Sequence, residues 1–145
     1  GGDGLRPQSL IPIVTNLGKA REQQGDYKGG YEAYESALGI CRTLYPAQPH
    51  PHTCRSLFFI ARSAYRAMEN EQQRHDALAD TPRELCEWQD PLAPRVFPPS
   101  REEIVVFVRE CEGHLKVLEE RGECVLGEAD RKVLHEMRQG LSLAS

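Results

Sequence analysis

Long apolar runs are missing from this 145-residue chain. Nothing approaches the ~20 consecutive apolar residues of a membrane-spanning helix, and no charged start followed by an apolar stretch reads as a secretory signal. A positive excess is missing too. The formal net charge is −4 with 28% charged residues, which argues against non-specific affinity for DNA or RNA. Five cysteines, an odd number without tight paired spacing, fit a reducing compartment better than a disulfide framework. Cytoplasmic or nuclear residence is expected, and Cys41, Cys54 and Cys111, within apolar-patterned segments, read as small buried hydrophobes.

Catalytic signatures are equally absent: no glycine-rich phosphate loop, no His-Glu-x-x-His helix and no Gly-x-Ser-x-Gly elbow occurs. The cluster His50, His52 and Cys54 places three potential ligands close together, but a closed zinc site needs a fourth ligand and paired short spacings. Cys111 and His114 share a helical face without a second ligand pair nearby. Glu102, Glu103, Glu110, Glu112, Glu119, Glu120 and Glu123 alternate with Arg and Lys, the pattern of a solvated helix face. The expectation is a non-enzyme that needs neither metal nor cofactor.

What is present is helical periodicity in a chain of single-domain size. Gly1-Gly2-Asp3-Gly4 reads as a fragment boundary or flexible lead-in, spanning residues 1–8. Ser9 can cap a first helix with the stripe Leu10, Ile13, Val14, Leu17, ending near Gln24, with Pro12 tolerated in its opening turn. A second runs from about Tyr27 to Leu44, its face Tyr27, Tyr31, Tyr34, Leu38 and Cys41, stopping before Pro46. A third runs from about Pro51 to Met68. Residues 79–100, with Pro82, Pro91, Pro94, Pro98 and Pro99, form a linker with one short helix opened by Thr81-Pro82-Arg83-Glu84. Trp88 and Phe97 pin that linker to the helices. Residues 101–145 supply a final pair. Ser100-Arg101-Glu102-Glu103 is a capping box before the face Ile104, Phe107, Val108, Cys111, Leu115, Leu118, and a last helix from about Glu128 to Leu141 carries Val133, Leu134, Met137 and Leu141.

The run Asn16-Leu17-Gly18-Lys19-Ala20-Arg21-Glu22-Gln23-Gln24-Gly25-Asp26-Tyr27, continued through Gly30, Tyr34 and Ala37-Leu38, resembles the tetratricopeptide repeat. Its glycines fit the crossing of two helices, Gly25-Asp26 the turn, and the tyrosines the angle between helices. Arg21 departs from the family, which has a large apolar residue there. A weaker copy begins at His50-Pro51-His52-Thr53-Cys54 and passes Ile60-Ala61, Ala64, Tyr65, Met68 and Asn70. It is similar to the longer variant of kinesin light chains, with Ala61 standing 43 residues after Gly18.

The resemblance implies an all-α fold: about two helical hairpins over residues 9–78, a fragment of a right-handed solenoid, closed by the C-terminal helices. It also implies a concave groove lined by the first helix of each copy. By register that groove offers Thr15, Asn16, Lys19 and Gln23 from one copy, and Arg55, Phe58, Phe59, Arg62 and Arg66 from the other. Such a basic-aromatic surface suits an acidic or carboxylate-ended peptide from a protein partner. The chain departs from the subclass that grips chaperone tails, which has Lys where Thr15 stands and Asn where Lys19 stands. A second reading, from the small number of repeats, is a regulatory or structural piece of a larger enzyme or of a trafficking protein that contacts phosphoinositide headgroups through the same basic face. Against both stands an arrangement in which these Arg residues are only a hydrated helix face and Phe58 or Phe59 packs beneath the C-terminal helices, occupying the groove from within.

Overall fold

The computed structural model describes residues 6–79 and 97–143. These form five α-helices and, among the described residues, no strand: α1 (Pro7–Gln23), α2 (Tyr27–Leu44), α3 (Pro51–Ala77), α4 (Arg101–Glu120) and α5 (Glu128–Gly140). The fold is all-α. The expected short helix at Thr81 and the contacts of Trp88 lie outside the described residues.

Helices α1 to α4 alternate in direction. Cys41 meets Ser56 while the Tyr27 carbonyl meets Ser63, so α2 and α3 run antiparallel; Cys54 meets Cys111 while Tyr65 senses Arg101, so α4 reverses α3. Helix α3 is the hub, touching each of the other four. It buries Cys54, Leu57, Phe58, Ile60, Ala61 and Ala64 completely or nearly so. At roughly 1.5–3 kcal/mol for each large apolar side chain withdrawn from water, this helix is the largest source of stabilisation in the core. Helix α5 lies against α3 and α4, held by Leu134 and Met137 in the core, by an Arg138–Glu112 ion pair, and by Arg101 donating to the Leu141 carbonyl at 2.6 Å.

Turn chemistry explains the first hairpin. Gly25 adopts φ +82°, a conformation costly for residues with a Cβ, and the Asp26 carboxylate accepts from the Gly29 amide at 2.8 Å. Where α1 and α2 cross, a Cβ on Gly18 would lie 2.6 Å from the Tyr34 ring, and one on Gly30 would lie 3.1 Å from the Gly18 carbonyl oxygen. Ala37 is fully buried on the same helix. Arg21 donates to the Gly29 carbonyl at 3.1 Å, tying down the turn by a hydrogen bond.

Two boundaries differ from expectation. Ser9 does not cap α1: the helix opens earlier, with Arg6 at the cap position and Pro7 in the first turn, where a missing N–H costs nothing. Pro12 therefore lies beyond the opening turn, on an exposed face where water can reach the carbonyl it leaves unpaired. Helix α3 continues nine residues past Met68, through Glu69–Ala77, so no turn follows Asn70. That stretch is rich in helix formers, has no Gly or Pro, and carries a Gln72–Asp76 hydrogen bond of 2.9 Å one turn apart. Its apolar pattern stops because it overhangs the core, and the next described helix to pack antiparallel on α3 is α4. Elsewhere the boundaries agree. Ser100 Oγ accepts from the Glu103 amide at 3.2 Å, and Phe97 packs on Tyr31 with ring centroids 5.4 Å apart.

The two flanks of the helical row differ. On α1, Ile13 and Leu17 are about half exposed, whereas on α3 Ser56 and Ile60 are buried, with Ser56 against Cys41 of α2. On α4 the outward stripe is Glu102, Val106, Arg109, Gly113, Lys116 and Glu120.

Candidate functional site

The groove lies between α1 and α5, with α3 as its floor. Its volume is about 360 Å³. Helix α1 contributes Lys19, Glu22 and Gln23, the start of α2 contributes Tyr27, α3 contributes Phe59, Arg62 and Arg66, and α5 contributes Asp130. The helical repeat dictates the α3 set, because positions 59, 62 and 66 recur on one face.

Five expected residues therefore converge: Lys19, Gln23, Phe59, Arg62 and Arg66. Thr15, Asn16 and Arg55 lie outside the lining. Phe58 is fully buried, so it offers no surface to a partner; it packs edge-on against Phe59 in the core that α5 helps to close. Phe59 is 6% exposed and serves as an apolar floor, stacked on Tyr34 at 5.3 Å. Above it sit two cations, Lys19 Nζ at 4.7 Å and the Arg62 guanidinium at 5.0 Å from the ring centroid.

Glu22 changes the electrostatics. Its side chain is only 5% exposed; Arg62 Nη2 reaches Oε1 at 2.8 Å, Arg66 Nη1 reaches Oε2 at 3.5 Å, and the Tyr34 hydroxyl donates to Oε1. Burial and the bond to Glu22 push the Tyr34 pKa up, keeping the phenol neutral. Burial works against the charge on Arg62, but the Glu22 carboxylate outweighs it and leaves the guanidinium more firmly protonated than usual. Lys19, Arg62 and Arg66 are thus set against Glu22 and Asp130, leaving one net positive charge in the lining. Arg66, 43% exposed, and Lys19, which makes no ion pair among the described residues, are the cations that face solvent.

Glu22, Tyr27 and Asp130 were not among the expected site residues. A signal for Glu22 exists: it stands one helical turn after Gly18, so a face that buries Gly18 against α2 must bury Glu22 as well, and a buried carboxylate needs partners. Asp130 carries no such signal, because the placement of α5 depends on the tertiary fold.

The potential metal ligands serve other ends. His50 Nδ1 accepts from the His52 amide at 3.1 Å, the His50 ring stacks on Tyr45 at 3.5 Å, and Cys54 faces Cys111. No group of three His, Cys, Asp or Glu side chains converges among the described residues. A larger hollow of about 590 Å³ lies near the turn between α2 and α3, bordered by Tyr45, Pro46, Pro49 and His114 and crossed by the Arg42–Glu110 ion pair. It contains none of the expected binding residues. No described helix is long and apolar enough to cross a membrane.

No protein-family model matches the chain, and no curated protein or solved structure is significantly similar to it. What the structure defines is an all-α class of helical hairpins with one mixed-charge, aromatic-floored groove.

Proposed function

We propose that this chain is a non-catalytic protein-interaction module of tetratricopeptide type, a scaffold or adaptor whose groove receives an acidic peptide segment. One observation carries the reading: Lys19 and Arg62 sit over the Phe59 ring, with Arg66 beside them in the lining of a groove between α1 and α5. Tight pairing of Gly18 and Gly30 at the hairpin crossing supports the repeat assignment. Arg62 is the structural cation, committed to Glu22; Lys19 and Arg66 at the rim contact the ligand carboxylates, and the nearly buried Phe59 ring is the apolar floor beneath them. The odd count of five cysteines without tight paired spacing fits the cytoplasm or nucleus.

The test is fluorescence anisotropy with a labelled peptide that combines several Glu residues, one Leu or Phe and a free carboxylate. Binding should weaken at least ~10-fold in the Lys19→Glu/Arg66→Glu variant and fall steeply with salt. Unchanged affinity in that variant rejects the groove. Co-sedimentation with phosphoinositide vesicles, lost in the same variant, would replace the peptide reading.

A further inference from the structure

Outside the groove, two thiols, Cys54 and Cys111, face each other. They belong to α3 and α4, 57 residues apart in sequence, and their Sγ atoms are 3.9 Å apart. Both residues are fully buried. The contact is reciprocal: Cys54 Sγ lies 3.6 Å from the Cys111 carbonyl oxygen, and Cys111 Sγ lies 3.6 Å from the Cys54 carbonyl oxygen. Each thiol thus points across the seam at its counterpart. A disulfide needs a sulfur separation near 2 Å, so closing the pair takes a movement of only ~2 Å, within reach of side-chain rotation.

We infer that Cys54 and Cys111 are a latent cross-link, a site at which a low-molecular-weight disulfide oxidises the chain and fastens α4 to α3. With the seam closed, neither sulfur meets solvent. Contact with Cys54 and burial together push the Cys111 thiol well above its ordinary pKa, which keeps it an unreactive neutral thiol. Reaction therefore begins when α4 lifts. Cys54 loses its proton to solvent and its thiolate attacks one sulfur of the small disulfide, forming a mixed disulfide and expelling one small thiolate. The Cys111 thiolate, likewise deprotonated by solvent, then attacks the Cys54 sulfur and expels the second. Two protein thiols are oxidised by two electrons, one small disulfide is reduced to two small thiols, and the protons end on those products. The rate follows how often the seam opens, so the bridge records opening events and prevents further ones.

Oxidised glutathione is the probe. The full chain is incubated with it in the presence and absence of a sub-denaturing urea concentration, then alkylated and analysed by intact mass and peptide mapping. After alkylation the expected product carries two fewer alkyl groups than the reduced chain and a Cys54–Cys111 cross-linked peptide; it forms several-fold faster with urea, and melts at least ~5 °C higher until dithiothreitol reverses it. Because the wild-type chain is the substrate, no folding defect can obscure the result. In a Cys86→Ser/Cys124→Ser background the same bridge should form. Oxidation confined to mixed disulfides on Cys124, a bridge between any other pair, or a Cys54–Cys111 bridge that leaves the melting temperature unchanged or lower overturns the inference.

Discussion

Replacing Gly18 with alanine and, separately, Gly39 with alanine should change stability in opposite directions. Both glycines lie inside helices, so each substitution gains about 1 kcal/mol of helix propensity. Gly39 is exposed, with nothing within 4 Å of an added Cβ, and keeps that gain. At Gly18 the new methyl would lie 2.6, 2.8 and 2.9 Å from three atoms of the Tyr34 ring. The ring cannot swing aside: it is fully buried, stacked on Phe59 and tied through its hydroxyl to Glu22. Overpacking a core costs typically ~1–3 kcal/mol, and this fixed ring puts the cost near the upper end. The net expectation is a loss of about 2 kcal/mol for Gly18→Ala against a gain of about 1 for Gly39→Ala. At roughly 3 °C per kcal/mol for a domain of this size, their melting temperatures should differ by about 9 °C. Urea denaturation followed by circular dichroism at 222 nm gives the same comparison as midpoints. Equal stabilisation by both substitutions would refute the close crossing of α1 and α2, and the repeat assignment with it.

Glu22→Gln should destabilise the fold by about 1–3 kcal/mol in urea titrations, because it removes the charge that balances Arg62 and Arg66 in a mostly buried site; if the groove binds acidic peptides, the same variant should bind them more tightly, and weaker binding would contradict the ligand assignment. Asp26→Ala and Ser100→Ala should each cost about 1 kcal/mol by removing the N-cap acceptors of α2 and α4, and changes under ~0.3 kcal/mol would show those caps to be idle. Burial lowers the pKa values of His50, His52 and His114 below the ordinary 6.5, so the unfolded chain binds protons first, and melting temperatures should begin to fall as pH drops below about 6.5. Burial, then Glu35 and Glu103, push Tyr31 up to about 12, so its contribution is complete below about pH 10 and is lost between there and 12; absorbance at 295 nm should show a late-titrating tyrosine, and ordinary titration near 10 would exclude that burial.

Local chemistry is what sequence conveyed best. The turn at Gly25-Asp26, the capping box at Ser100 and the start of α3 at Pro51 all depend on contacts within a few residues, and all were legible. The end of α3 was not, because the loss of apolar pattern after Asn70 marks where packing ceases, while propensity carries the helix on to Ala77. The groove was half legible. Register along α1 and α3 named five of its residues, since one helix face is a local property. Phe58 was misassigned to the surface, because only the arrival of α5 and the rest of the core buries it. The salt link from Glu22 to Arg62 spans 40 residues and required the crossing geometry.

Helix α1 ends the row with half-exposed Ile13 and Leu17, whereas α4 ends it with a mostly charged stripe. Growth of this architecture is consequently directional. An appended helix would find apolar footing beside α1, in the manner that α2 seats against α3, while the opposite edge would require it to displace hydrated charges. Engineers wishing to lengthen the scaffold should build onto the α1 edge and leave the α4 edge as its water-facing terminus.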